Sequence, residues 1–135
     1  MTTQQRPAEA QQRPQPVFDK QDQFNKITAN LLQGEFVIAV YDCIGAGTGF
    51  VGITDRRVIV QDNSFVGKKT ALTSIPYSKV NAVSFVSDKS MWGFVSTSSI
   101  SISAGGREYL VDFRGEQKAR HVHDVILWHM MGSRG

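Results

Sequence analysis

A glycine motif is the first feature of this sequence that could bind a cofactor. Residues 47–52 are Gly-Thr-Gly-Phe-Val-Gly, which is the G-x-G-x-x-G spacing. This spacing binds a dinucleotide only where it follows a strand and opens a helix whose N-terminus holds the pyrophosphate. The apolar residues that follow, Ile53 and residues 58–60, flank a polar break and predict strands instead. We therefore interpret the motif as β structure around a turn and expect no cofactor, so a nucleotide-dependent enzyme is the least favoured hypothesis.

Three histidines and one cysteine are the other candidates for metal binding or nucleophilic catalysis. His121, His123 and His129 fall in the last predicted helix, but separations of two and six residues place them on different sides of it. Cys43 has no histidine near it in the sequence to act as a base, so a small buried side chain is the favoured interpretation. The sequence also has no G-x-S-x-G elbow and no carboxylate pair at a spacing typical of acid–base catalysis. We predict no metal site and no catalytic residues, and hence a protein that is not an enzyme.

An apolar segment in a predicted loop is the main candidate for an interaction surface. Residues 91–95, Met-Trp-Gly-Phe-Val, lie between predicted strands and are almost entirely apolar. Exposed patches of this kind mark contacts with a partner protein, a membrane or another subunit. The alternative, that the segment folds over the end of the β structure as core, stays open. We take Met91, Trp92 and Phe94 as the candidate interaction residues.

Basic residues at predicted turns form a second candidate surface. Arg56 lies in the turn after Ile53, and Lys68 and Lys69 lie in the loop at Gly67. If the fold brings these two turns together, the three charges could contact one anionic lipid head group. Three such charges give only a weak, salt-sensitive attachment to a membrane. The alternative is an ordinary solvated turn surface.

The composition and charge of the chain limit which compartment and which class of partner are expected. The chain of 135 residues has one cysteine and a formal net charge of +3, so an intrachain disulfide is impossible and a nucleic-acid partner is not expected. The first residues contain no apolar stretch typical of a signal peptide, and no run approaches the ~20 apolar residues of a membrane span. We expect a soluble, cytoplasmic protein with one domain.

The first part of the chain is predicted to be a tail followed by a helix. Residues 1–16 are rich in Gln and Pro and predict a disordered tail. Residues 17–34 predict an N-terminal helix, with Asp19 as the cap and Gly34 at its end. Apolar side chains at spacings of three and four residues form one face of this helix. They are Phe24, Ile27 and Leu31.

Residues 35–132 are predicted to form the folded domain. Alternating and β-branched patterns give about seven short antiparallel strands, and Gly105-Gly106 marks a hairpin turn. After Gly115 the period returns to that of a helix, with an apolar stripe that could close an open end of the β structure. The stripe consists of Ala119, Val122, Ile126 and Met130, widened by Val125 and His129. The pattern therefore predicts a mainly β domain, a barrel or a sandwich, with flanking helices.

Three local signals in this order of elements resemble the bacterial pleckstrin-homology-like (PH-like) domains. Residues 52–60, Gly-Ile-Thr-Asp-Arg-Arg-Val-Ile-Val, resemble the family's LT-x-x-R-hydrophobic hairpin, with Ile53 in place of the usual Leu. Residues 74–80, Ser-Ile-Pro-Tyr-Ser-Lys-Val, resemble its IPY-x-x-I step between strands. The third signal is a hairpin over residues 100–113 that leads directly into the last helix. The resemblance covers residues 34–131.

The resemblance implies a bent seven-stranded antiparallel barrel capped by a C-terminal helix. It also implies a non-catalytic protein, because members of the family are mostly non-catalytic. Some members assemble into rings, so the resemblance is also compatible with self-association. Phosphoinositide binding belongs to eukaryotic relatives and is not carried over, since a fold does not fix a function. We expect an interaction module that acts by self-association or by binding another protein. The alternative is a peripheral membrane module that binds anionic lipid.

Overall fold

The computed structural model describes residues 14–45, 47–63, 67–86 and 97–132. Within these ranges the chain forms eight strands and two α-helices. In chain order they are β1 (Val17–Phe18), α1 (Gln21–Thr28), β2 (Val37–Ile44), β3 (Thr48–Thr54), β4 (Arg57–Asp62), β5 (Ala71–Pro76), a 3₁₀ turn (Tyr77–Lys79), β6 (Val80–Val86), β7 (Thr97–Ala104), β8 (Arg107–Arg114) and α2 (Glu116–Gly132). The prediction of a mainly β domain with a helix at each end is confirmed.

The strands form one bent sheet in the order β5-β4-β3-β2-β8-β7-β6, and all of these neighbours are antiparallel. Strand β2 is shared by the two halves of the sheet: its residues up to Asp42 pair with β3, whereas Cys43 and Ile44 pair with β8. The short strand β1 adds to β2 in parallel. Side chains from both halves meet in one buried cluster, so the sheet folds around its own core.

Helix α2 closes this core, as the helical period predicts. Ala119, Val122 and Ile126 have no exposed surface and pack into the cluster formed by the two halves of the sheet. Val125 and Met130 cover its margin. Each fully buried Val or Ile side chain contributes about 1.5–3 kcal/mol relative to an exposed one, so this stripe holds the helix on the sheet.

Helix α1 is shorter than the sequence predicts and packs on the outer face of the sheet. It ends at Thr28 rather than near Gln33, because the Asn30 side chain and the Glu35 carboxylate bond to the backbone there and turn the chain. Asp19 does not cap it. Its carboxylate instead accepts a hydrogen bond from the Asp42 backbone N–H and pairs with Lys118.

The side chain of Ile27 anchors α1 directly over a glycine of the G-x-G-x-x-G motif. Ile27 is fully buried among Val37, Val40, Phe50 and Ile59. Gly52 lies beneath it in β3, where a Cβ would stand 2.7 Å from the Ile27 Cδ1 and 2.9 Å from its Cγ1. The absence of a side chain at Gly52 therefore lets the helix approach the sheet.

Replacing Gly52 with alanine is expected to lower the free energy of unfolding by about 1–3 kcal/mol, because the new methyl group overlaps Ile27. Gly47→Ala in the same motif is the matched control, since a Cβ there would meet no described atom within 4 Å. Urea denaturation measures both. Gly52→Ala should lower the free energy of unfolding by less in an Ile27→Ala background than in the wild type. Equal losses for the two glycine variants would contradict this packing.

A buried carboxylate connects the segment after α1 to the β3–β4 turn. The side chain of Glu35 has no exposed surface and accepts hydrogen bonds from the Thr54 hydroxyl (2.6 Å) and the Arg57 guanidinium (2.9 Å to each carboxylate oxygen). Burial alone raises the pKa of Glu35, but the bonds from Arg57, the Leu32 N–H and Thr54 outweigh it and lower the pKa to about 2. The ionised carboxylate thus favours the folded state.

We expect this carboxylate to make stability depend on pH in the acid range. Because its folded pKa of about 2 lies below the value of 4.5 for a free Glu, the contribution of about 3 kcal/mol is complete above pH 4.5 and is lost as the pH falls toward 2. Urea denaturation between pH 6 and 2 should show a shallower loss for Glu35→Gln than for the wild type. Glu116→Gln, at an exposed position of α2, should follow the wild type, and parallel curves for all three would contradict the assignment.

Candidate functional site

The glycine motif lies in strand β3 and opens no helix. Residues 48–54 pair with β2 on one side and β4 on the other, and Gly52 is covered by Ile27. The interpretation of the motif as β structure is confirmed. A phosphate cradle needs backbone N–H groups at a helix N-terminus, which this arrangement does not provide.

The three histidines of α2 have three different neighbours. His121 Nδ1 lies 2.7 Å from the Tyr41 hydroxyl, and the ring of His123 stacks on Phe85 with 4.1 Å between centroids. His129 stacks on the ring of Tyr77. Across the described ranges, no group of three or more His, Cys, Asp or Glu side chains has an arrangement that could hold a metal ion.

Cys43 lies in the core beside the point where β2 passes between the two halves of the sheet. Its Sγ is 3.8 Å from the Tyr41 carbonyl oxygen, and its side chain belongs to the main buried cluster. Burial raises the pKa of Cys43, and the nearby carboxylates of Asp42 and Asp112 raise it further. A thiol with a raised pKa is a poor nucleophile at neutral pH, which supports the packing role.

The thiol of Cys43 is expected to react with an aromatic disulfide reagent at least about a hundredfold more slowly in the native protein than in urea, because it is buried and protonated. Absorbance of the released thiolate at pH 8 measures the rate. Ser78→Cys places a second thiol at an exposed position and should add one equivalent of rapid reaction. Fast labelling of the native wild type would show that the site opens readily.

The structure does not bring Arg56 to Lys68 and Lys69. Arg56 lies in the β3–β4 turn, whereas the two lysines precede β5 at the opposite end of β4. The β4–β5 register pairs Arg57 with Pro76 and Asp62 with Ala71, so about 17 Å of strand separates the two ends. The predicted grouping of all three around one head group is therefore not formed. Met91, Trp92 and Phe94 lie outside the described residues.

Among the described residues, no helix is both long enough and apolar enough to cross a bilayer.

A groove of about 350 Å³ lies at the C-terminal end of α2, and we call it the α2 groove. The β3–β4 turn, the 3₁₀ turn and the last turns of α2 meet there. Its lining residues are Asp55, Arg56, Tyr77, Ser78, Trp128, His129 and Gly132.

Three aromatic side chains form the floor and wall of the α2 groove. Tyr77 is buried and stacks on His129 with 4.3 Å between ring centroids and 12° between planes. The Tyr77 hydroxyl donates to the Thr54 carbonyl oxygen at 2.7 Å, and burial raises the pKa of Tyr77. Trp128 contacts His129 edge-on at 5.0 Å. Since the Val125 carbonyl only accepts, the His129 Nδ1 at 2.9 Å donates to it, which fixes the ring.

The helix carries an exposed apolar surface beside this groove, which we call the α2 apolar surface. It consists of Leu127, Trp128 and Met131, which are 38%, 69% and 67% exposed. These residues are not among those predicted from the sequence, although the sequence contains a signal for them. The core stripe accounts for the residues on one face of α2, but residues 125–131, Val-Ile-Leu-Trp-His-Met-Met, are apolar on nearly every side. A helix that is apolar on a second side has a second surface to cover.

The family and the fold of this chain follow from its similarity to known proteins. The model of the bacterial PH domain family matches residues 20–127, which is most of the chain. A comparison with curated proteins finds no match.

Solved structures of bacterial proteins share the fold at low sequence identity. A pleckstrin-homology domain from Shewanella amazonensis is 16% identical, with a TM-score of 0.62 over 84% of this chain and 99% of that one. A protein with a pleckstrin-homology domain from Shewanella loihica is 15% identical, with a TM-score of 0.58 over 83% and 94% of the two chains. A PH domain-containing protein from Exiguobacterium sibiricum is 17% identical, with a TM-score of 0.61 over 85% and 63%. The predicted PH-like fold is confirmed, and this chain belongs to the bacterial PH domain family.

Proposed function

We propose that this protein is a non-catalytic binding module that acts by self-association or by binding another protein. The observation that carries the proposal is the exposed indole of Trp128 at the edge of the α2 groove. Monomeric proteins seldom expose large apolar side chains side by side next to a groove, and such patches mark interaction sites. Tryptophan is also among the residues that contribute most to binding energy when an interface covers them.

The area of the α2 apolar surface is that of the centre of an interface, and it is too small to be a whole interface. A stable complex buries about 800 Å² on each partner, and three side chains supply only part of that area. Energetically important residues cluster near the middle of an interface and are surrounded by polar contacts that exclude water. The polar residues around the groove, including Asp55, Arg56 and Ser78, are placed to form such a rim.

Several features support a non-catalytic role and a reducing compartment. The histidines of α2 are bonded to or stacked on separate neighbours, and Cys43 is buried with a raised pKa. We propose a cytoplasmic location because the one cysteine is a free thiol, as is usual for proteins of that compartment.

Binding to anionic lipid is the weaker alternative. The fold separates Arg56 from Lys68 and Lys69 by the length of β4, so no more than two of these charges approach one head group. Each contributes about 1 kcal/mol near an anionic surface. Protein contact through an apolar surface is the stronger source of affinity.

We expect the wild type to self-associate and Trp128→Ala to lose that association. Light scattering between about 5 and 200 μM should give a mass that rises with concentration for the wild type and stays monomeric for Trp128→Ala, because the variant lacks the apolar contact. Leu110→Ala is the control, since Leu110 is 55% exposed on β8 and should leave the association unchanged.

If the wild type is monomeric, crosslinking in cell extract compares the proteins captured by the wild type and by Trp128→Ala. Identical capture by both would contradict the proposal. Sedimentation with phosphatidylserine vesicles tests the alternative. Binding that salt removes and that Lys68→Glu abolishes would favour the lipid.

A further inference from the structure

The α2 groove combines an apolar half with a polar half formed by Arg56 and Asp55, and this combination indicates the chemistry of its partner. Resting on the proposed function, we propose that the groove binds a peptide segment of another protein in which an acidic residue adjoins a bulky apolar residue. The apolar side chain lies on the aromatic floor, and the carboxylate binds Arg56.

The apolar half offers ring surfaces in which two of the polar groups are already bonded. The Tyr77 hydroxyl is committed to the Thr54 carbonyl and the His129 Nδ1 to the Val125 carbonyl. The stacked pair of rings and the edge of Trp128 therefore present carbon atoms to the groove. Ligand pockets usually measure about 300–1,000 Å³, so a groove of about 350 Å³ has room for one or two side chains rather than a large cofactor.

The polar half is the guanidinium of Arg56, which pairs through its Nε with Asp55, a residue that also lines the groove. The Arg56 side chain is 54% exposed, and its Nε lies 3.7 Å from Asp55 Oδ2. Among the described residues its two terminal amino groups have no hydrogen-bond partner. The other oxygen of Asp55 accepts the Phe36 N–H, which holds that carboxylate against the backbone. A planar guanidinium with free amino groups matches a carboxylate through two parallel hydrogen bonds.

The neighbouring arginine shows that this freedom is specific to Arg56. The guanidinium of Arg57 donates four hydrogen bonds, to both carboxylate oxygens of Glu35, the Asn30 carbonyl and the Ser74 hydroxyl. The backbone N–H groups of both arginines donate to the Thr54 hydroxyl at 3.0 Å. The turn is therefore rigid, and Arg56 extends from a fixed base, which lowers the entropic cost of binding.

Charge favours an acidic peptide over a membrane. Arg56 is the one Lys or Arg that lines the described groove, whereas an anionic bilayer needs several cations on one face. Asp55 lines the groove beside Arg56, and Asp124, 59% exposed on α2, precedes Trp128 by one helical turn, so two carboxylates oppose a continuous anionic surface. A single carboxylate needs only the two amino groups of Arg56.

Two peptides that differ by one group test the proposal. The probes are acetyl-Gly-Asp-Leu-Phe-Gly-amide and the same peptide with Asn in place of Asp. Titration is followed by the indole N–H resonance of Trp128, assigned with Trp128→Phe. We expect the Asp peptide to bind the wild type about tenfold more tightly, because only its carboxylate pairs with Arg56.

Two variants localise the effect. Arg56→Gln should make the two peptides bind equally without changing the affinity for the Asn peptide, whereas Lys69→Gln, at the far end of β4, should leave the tenfold ratio intact. Arg56 lies in an exposed turn, so its variant is expected to fold. Discrimination that survives Arg56→Gln, equal affinities in the wild type, or no shift of the Trp128 resonance at millimolar peptide would each overturn the proposal.

The other occupants of the groove give different results. If no peptide binds but the association of the wild type depends on Trp128, a second copy occupies the groove; the inference then fails and the proposed function stands. Sedimentation with phosphatidylserine vesicles that depends on Trp128 would identify a membrane and would also overturn the inference. If Trp128→Ala changes neither the mass nor the captured proteins, the proposed function itself fails.

Discussion

The buried carboxylate of Glu35 is the interaction on which the rest of the structure around the α2 groove depends. It binds the Thr54 hydroxyl and the Arg57 guanidinium, and the Thr54 carbonyl in turn accepts the Tyr77 hydroxyl. One carboxylate therefore fixes both the turn that carries Arg56 and the ring that forms the groove floor. A buried charge is tolerated only where it is paired and hydrogen-bonded, so few other arrangements of these segments are accessible.

The same constraint explains how two adjacent arginines come to have different roles. The Arg57 side chain pairs with the buried Glu35. The backbone N–H groups of both arginines donate to the Thr54 hydroxyl, but the Arg56 side chain is largely exposed to solvent. Helix α2 shows a similar division between two of its sides. Ala119, Val122 and Ile126 close the core, and the α2 apolar surface remains outside it. The faces that stabilise the fold and the faces proposed to bind a partner are thus different sides of the same elements.

The order of strands and helices was predictable because it depends on local periodicity, and the G-x-G-x-x-G motif was correctly interpreted from the residues that follow it. The N-terminal helix is shorter than the sequence predicts because the Asn30 side chain bonds the Lys26 carbonyl at its end, and the Glu35 carboxylate binds the Leu32 N–H in the segment that follows. The predicted grouping of Arg56 with Lys68 and Lys69 is absent from the structure, because strand pairing places the two turns at opposite ends of β4. The aromatic floor was not anticipated, since Tyr77 and His129 are 52 positions apart and no pattern joins them.

The sequence by itself determined the mainly β class, the closing helix and the resemblance to bacterial PH domains, because hydrophobic period and short motifs are properties of neighbouring residues. It also contained the excess of apolar residues at the end of α2. Only the tertiary structure decided which of those residues remain exposed and which arginine keeps an exposed guanidinium. Both outcomes depend on contacts between segments distant in the chain, and such contacts follow from strand register and helix docking, which no local pattern encodes.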